Sequence, residues 1–140
     1  MRVLFVEDND INRRVIKEML RSRGVDMAEA QDGLIGLQMI DTQDFDVVLM
    51  DLRMPVMDGI TAIRHIRARG DGKAALPVIV ITADDGPTID NDCLVAGADG
   101  VLHKPVTMAS LFGAIGATLT QRGQTGAAAM SLTPGESRGG

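Results

Sequence analysis

At 140 residues, with 45% hydrophobic and 24% charged residues, the chain is long enough to bury a core and has the composition of a single soluble globular domain. A formal net charge of -5 excludes a basic nucleic-acid groove, and three Phe without Trp or Tyr leave little for stacking a base, a sugar or a flavin ring. One cysteine, Cys93, excludes an internal disulfide. With no apolar run of membrane-spanning length and no signal-peptide pattern at the start, a cytoplasmic protein is expected.

Arg2 to Val6 reads as a short apolar strand that ends in Glu7-Asp8-Asn9-Asp10. From about Ile11 the period becomes helical: Ile11, Val15, Ile16, Met19 and Leu20 form a stripe, with Asn12, Arg13, Lys17 and Arg21 outside it. Asn9 or Asp10 caps this helix and Gly24 stops it. Val25 to Ala30 is a more polar strand, expected nearer a sheet edge. Asp32-Gly33 opens a helix carrying Leu34, Leu37 and Ile40. Phe45 to Met50 is nearly unbroken apolar sequence, as in a parallel strand covered on both faces, and it ends in a carboxylate, Asp51.

After Met54-Pro55, Asp58 caps a helix from about Gly59 with the stripe Ile60, Ile63 and Ile66. Arg64, His65, Arg67 and Arg69 lie outside it, and the 64–69 run is expected to be a solvated face. Pro77 to Ile81 is the most β-branched run and the predicted central strand, ending in Thr82. Pro87 suits the first position of a short helix holding Ile89, Cys93, Leu94 and Val95 up to Gly97. Gly100 to His103 is a fifth strand, followed by Lys104-Pro105. A last helix, about Thr107 to Leu119, buries Leu111, Phe112, Ile115 and Leu119. The folded part is thus expected over residues 1–120. Residues 121–140 are rich in Gly, Ala, Ser and Thr without period and read as a flexible tail or linker, in which Ala127 to Leu132 is the part apolar enough to pack on a partner.

Five strands alternating with five helices predict an α/β fold with a parallel sheet and right-handed crossovers. In the flavodoxin-like doubly wound order 2-1-3-4-5, strands one and three are neighbours, and the ligand crevice lies at their carboxyl ends. That order brings Glu7, Asp8 and Asp51 into one site. Three clustered carboxylates repel unless a cation offsets them, and Mg²⁺ suits a site of few carboxylates, water and phosphate. Thr82 adds a hydroxyl and Lys104 a mobile ammonium at the same edge. Carboxylate, metal, hydroxyl and ammonium match what phosphoryl transfer onto a carboxylate requires. Singly, each of these residues also reads as a cap or turn; their coincidence at four of five strand ends points to a site.

Val-Glu-Asp-Asn at 6–9, Met-Asp-Leu-Arg-Met-Pro-Val-Met-Asp-Gly at 50–59, Ile-Thr-Ala at 81–83, Gly-Ala-Asp-Gly at 97–100 and His-Lys-Pro at 103–105 occur together and in this order. Over about residues 1–120 the chain therefore resembles the receiver domains of two-component response regulators. The resemblance implies that Asp51 accepts a phosphoryl group from a partner phosphohistidine. It implies Asp8 and Asp51 as direct Mg²⁺ ligands, Glu7 acting through water, and the backbone carbonyl of Arg53 completing the set. Thr82 and Lys104 would hold the phosphoryl oxygens, and the Lys104–Pro105 bond would be cis. A histidine kinase or histidine phosphotransfer protein would dock beside the site on the first helix, near Ile11, Asn12 and Val15. Phosphorylation would change the 87–119 face, a possible homodimer surface. Many members carry Tyr or Phe where this chain has Val101, so no ring stands there to move with Thr82.

Arg53 and Asp84 fall two residues beyond Asp51 and Thr82, places that the resemblance implies flank the entry to the acyl phosphate, and they are expected to govern water access by pairing across it. His103 is expected at a sheet face or site rim, His65 in solvent and Cys93 in the core. Two rival chemistries share part of this pattern. A haloacid-dehalogenase-like phosphatase shares the Asp nucleophile, Mg²⁺ and Lys but needs a second Asp where this chain has Arg53. A flavin-binding electron carrier needs aromatics and a phosphate loop that are missing here. The Gly-x-x-x-x-Gly-Lys-[Ser/Thr] loop of nucleotidases is also missing. A chain that phosphorylates itself without turning over a substrate falls between enzyme and switch. No length remains for a DNA-binding output domain, so a stand-alone receiver and a receiver from a hybrid histidine kinase are the two arrangements; the 7–14 run resembles the latter.

Overall fold

The computed structural model describes residues 1–121. The strands are β1 (Arg2–Val6), β2 (Asp26–Ala30), β3 (Val47–Asp51), β4 (Val78–Thr82) and β5 (Gly100–His103). The helices are α1 (Asp10–Arg21), α2 (Gly33–Thr42), α3 (Gly59–Arg67), α4 (Ile89–Ala96) and α5 (Met108–Gln121), with a 3₁₀ turn at Gly72–Ala75 that the sequence reading did not anticipate. The five strands are parallel in the order β2-β1-β3-β4-β5, the expected doubly wound sheet. Apart from Gln121, which closes α5, the predicted 121–140 tail and its 127–132 segment lie outside the described residues.

Strand alternation sorts the core into two layers. Val3, Phe5, Val47, Leu49, Ile79 and Ile81 face α1 and α5, meeting Ile16, Leu20, Leu111, Phe112, Ile115 and Leu119. Leu4, Val6, Val48, Met50, Val78 and Val80 face α2, α3 and α4, meeting Ile40, Ala62, Ile63, Ile66, Cys93 and Ala96. All residues of β3 and β4 are buried, which is why both read as continuous apolar runs. Asn9, Asp32 and Asp58 each accept from the backbone N–H three residues on, capping α1, α2 and α3.

Five details depart from expectation. Leu34 does not join the buried face of α2 but is exposed, because Gly33 and Gly36 turn toward the protein instead. A Cβ at Gly36 would stand 2.8 Å from Val6 Cγ2, so this helix packs by its smallest residues. The same preference operates in α4, where Cys93 and Ala96 are buried while Leu94 and Val95 are 51% and 74% exposed. Pro87 lies outside α4, which begins at Ile89 after Thr88. Arg13, expected outside the α1 stripe, is 9% exposed.

The fifth departure is the 64–69 run, which is not a uniformly solvated face. Arg67 donates to the carbonyls of Gly97, Ala74 and Leu76 and to Asp99 Oδ2, which also accepts from Val78 N–H. It therefore ties α3, the 3₁₀ turn, β4 and β5 together. Arg69 pairs with Asp41 and Asp71, while Arg64 and His65 are exposed.

Candidate functional site

β1, β3, β4 and β5 end at the same edge of the sheet, so Glu7, Asp51, Thr82 and Lys104 leave their strands side by side. Lys104 N–H donates to the Thr82 carbonyl at 2.8 Å, extending the β4–β5 ladder by one rung and presenting the ammonium to the crevice. The Lys104–Pro105 peptide is cis, as the motif implied. Carboxylate oxygens of Glu7, Asp8 and Asp51 all lie within 4.8 Å of one another. Lys104 Nζ is 3.0 Å from Glu7 Oε1 and 3.5 Å from Asp51 Oδ1. With Asn9, Asn12, Arg53, Thr82 and Asp84, these residues line a cleft of about 490 Å³.

Gly59 explains why Asp-Gly follows the turn beyond Asp51. Its N–H donates to the Leu52 carbonyl at 2.9 Å, and a Cβ there would stand 2.3 Å from the Asp51 carbonyl oxygen. A side chain would force α3 away from the end of β3 and displace Asp51 with it. The connecting turn is tight: Met57 N–H donates to the Pro55 carbonyl at 2.7 Å around Val56, whose φ is 72°. A left-handed β-branched residue is an outlier that costs about 1–3 kcal/mol. Val56 itself is 76% exposed, so packing of its side chain does not compensate.

Electrostatics divides the three carboxylates. Glu7 is only 1% exposed, and burial pushes its carboxyl up. The hydrogen bond from Lys104 and the Asn9 N–H outweigh that and hold it below the usual range. For Asp51, burial first and the Glu7 charge second push the carboxyl from its ordinary 3.8 up to about 7, against the pull of Lys104. Partial desolvation and the neighbouring Glu7 also raise Asp8. Burial disfavours the Lys104 ammonium, but the bond to Glu7 and the charge of Asp51 more than restore it. One ammonium thus faces three clustered carboxylates, two of them buried. The frustration that remains at Asp51 and Asp8 is the kind a hard divalent cation relieves, so the donor set fits Mg²⁺.

Thr82 is buried, and its Oγ1 accepts from Asp84 N–H at 2.9 Å. Arg53 Nη2 donates to Asp84 Oδ2 at 2.5 Å, so the expected pair does span the cleft mouth. Ile11 and Val15 are exposed on α1. Cys93 is fully buried, with its thiol pushed up by burial. His103 is exposed at the end of β5, its Nε2 2.7 Å from Asp90 Oδ1 of α4, and is not among the residues lining the cleft. Two contacts were not legible beforehand. Asn12 Nδ2 reaches Glu7 Oε1 at 3.4 Å, and Arg13 Nη1 donates to the Glu7 carbonyl at 2.7 Å. No sequence pattern distinguishes a buried Arg13 from its solvated neighbours.

Among the described residues no helix is long and apolar enough to cross a membrane. A family model described as the response regulator receiver domain matches residues 3–116. Chemotaxis protein CheY-3 of Vibrio cholerae is 40% identical over 112 residues, covering 79% of this chain and 85% of that protein. Sensor histidine kinase RcsC of Escherichia coli is 39% identical over 108 residues, 77% of this chain but only 11% of the kinase. The receiver domain of the Pseudomonas aeruginosa sensor histidine kinase PA1611, solved with a magnesium ion coordinated in the active site cleft, superposes with a TM-score of 0.78 at 36% identity. That match covers 85% of this chain and 97% of that one.

Proposed function

The chain belongs to the response-regulator receiver family of two-component phosphorelay systems, and on that premise we propose that Asp51 is its phosphoacceptor. The carrying observation is the convergence of Glu7, Asp8, Asp51, Thr82 and Lys104 on one cleft. An Asp51 carboxylate oxygen attacks the phosphorus of a partner phosphohistidine; the P–N bond breaks, a P–O bond forms, and the imidazole leaves with the electron pair. Asp8, Asp51 and the Arg53 carbonyl, with Glu7 acting through water, would hold Mg²⁺, which would supply positive charge against the phosphoryl oxygens. Lys104, already within 3.5 Å of Asp51, neutralises a second oxygen, and the Thr82 hydroxyl hydrogen-bonds a third. The Arg53–Asp84 pair limits access of water to the acyl phosphate.

A phosphorylated histidine kinase or histidine phosphotransfer protein docks across the exposed Ile11 and Val15 of α1, beside the cleft. Exposed Leu94 and Val95, together with the outer edge of β5, support the 87–119 face as the surface that passes the signal on, by contact or homodimerisation. With valine at 101, packed in the layer under α3 and α4, that passage works without an aromatic swing. A buried thiol and the absence of a membrane-crossing helix among the described residues support a cytoplasmic setting. The phosphatase reading is disfavoured because Arg53 stands where that chemistry needs an acid–base carboxyl, and the flavin reading because no aromatic face lines the cleft. The test is transfer of labelled phosphate from a panel of phosphorylated histidine kinases and phosphotransfer proteins. Label should reach the chain with Mg²⁺ present and be lost in Asp51→Asn; retention by Asp51→Asn overturns the assignment.

A further inference from the structure

Arg13 is charged yet nine-tenths buried, and its two contacts face the β1–α1 turn and the sheet edge. Nη1 donates to the Glu7 carbonyl at 2.7 Å and Nε to Glu29 Oε1 at 3.0 Å, while Lys17 Nζ holds Glu29 Oε2 at 2.9 Å. Glu7 lies one residue past the last β1–β2 pair, Val6 with Ala30. Its N–H still reaches the Ala30 carbonyl at 3.0 Å, but its own carbonyl has left the ladder, and Arg13 is what answers it. That carbonyl belongs to the peptide joining Glu7 to Asp8, so its orientation sets the direction in which both carboxylates leave the backbone.

We propose that Arg13 is a positioning residue for the acidic site, setting the Glu7–Asp8 peptide and thereby the affinity of the cleft for Mg²⁺. This rests on the Mg²⁺-dependent reading above. Arg13 touches no reacting atom; it acts through a backbone that a metal site needs held to a fraction of an ångström. Two effects of removing it have opposite signs. Loss of a cation near the cleft strengthens Mg²⁺ binding, whereas loss of the carbonyl anchor weakens it. The Glu29 carboxylate already offsets the guanidinium charge at 3.0 Å, so the anchoring effect dominates.

Mg²⁺ affinity of the full chain, measured by calorimetric titration with MgCl₂, distinguishes them. Arg13→Met should weaken binding by roughly 10-fold, the range seen when outer-shell partners of metal ligands are removed. Arg13→Lys, which keeps one donor, should recover most of that loss. At saturating Mg²⁺ phosphotransfer to Arg13→Met should return to near the unsubstituted rate. If Arg13→Met does not fold, Arg13→Gln carries the same sign test, since it too removes the charge. Affinity unchanged or tightened in the folded variant overturns the assignment of Arg13 alone. Absence of saturable Mg²⁺ binding in the unsubstituted chain overturns the metal reading together with it.

Discussion

Where the strands begin, Arg67 meets three backbone carbonyls and the Asp99 carboxylate; where they finish, Glu7 and Asp51 share the ammonium of Lys104, with the Asp8 carboxylate beside them. Both ends are partly buried and bring a basic side chain to carboxylates. At the first, each oxygen around the guanidinium accepts from a matching donor, and the cluster holds four elements in place. At the second, burial raises Asp51 to about 7 and leaves like charges adjacent. The contrast separates charge that fastens a fold from charge held ready for a ligand, and it can be probed from either end.

The largest expected loss of stability is at the satisfied end. Arg67→Met leaves Asp99 and several carbonyls without their guanidinium, and should lower unfolding free energy by about 3 kcal/mol in urea titration. At a temperature where the variant is folded, phosphotransfer should be unchanged; impaired Mg²⁺ binding would blur the division between the two ends.

Asp51→Asn should do the reverse. A carboxyl whose folded pKa is raised stabilises the fold below its unfolded pKa, and that contribution is lost as pH climbs from about 4 through about 7. In metal-free buffer Asp51→Asn should therefore be more stable than the unsubstituted chain by up to about 4 kcal/mol at pH 8, with the gap closing toward pH 4. Added Mg²⁺ should shrink the gap at pH 8 by stabilising the unsubstituted chain. Thermal melts with and without EDTA check both statements, and a gap independent of pH would place the frustration elsewhere.

Smaller effects belong to the cleft mouth. Arg53→Ala or Asp84→Ala opens the pair that spans it, and loss of acyl phosphate should speed up by a few-fold in a dephosphorylation time course. Unchanged rates in both variants would remove the pair from any role in water access. Val56→Gly relieves the left-handed turn and should raise stability by about 0.5–1 kcal/mol, part of the relief being offset by the greater freedom of glycine in the unfolded chain. A loss of stability there would mean that the turn is not strained.

Strands, their order and the residues at their carboxyl ends were legible from sequence, because parallel strands covered on both faces must be continuously apolar and strand alternation leaves no choice of face. The turn chemistry was equally local: Asn9, Asp32 and Asp58 cap the helices that follow them. Pairing of Arg53 with Asp84 followed from strand order, since both leave neighbouring strands two residues after their ends.

Tertiary structure decided the rest. In α2 and α4 apolar residues occur all round, so periodicity could not select a face. Close approach to the sheet selected Gly36, Cys93 and Ala96 and left Leu34, Leu94 and Val95 outside. Arg13 and Arg67 were placed in solvent by their charge, yet each is drawn inward by carbonyls that strand ends and turns leave without ladder partners. Such carbonyls arise where distant segments meet, and no local pattern announces them. The residues of the acidic cleft were therefore written along the chain, while the parts that hold it rigid arose only on folding.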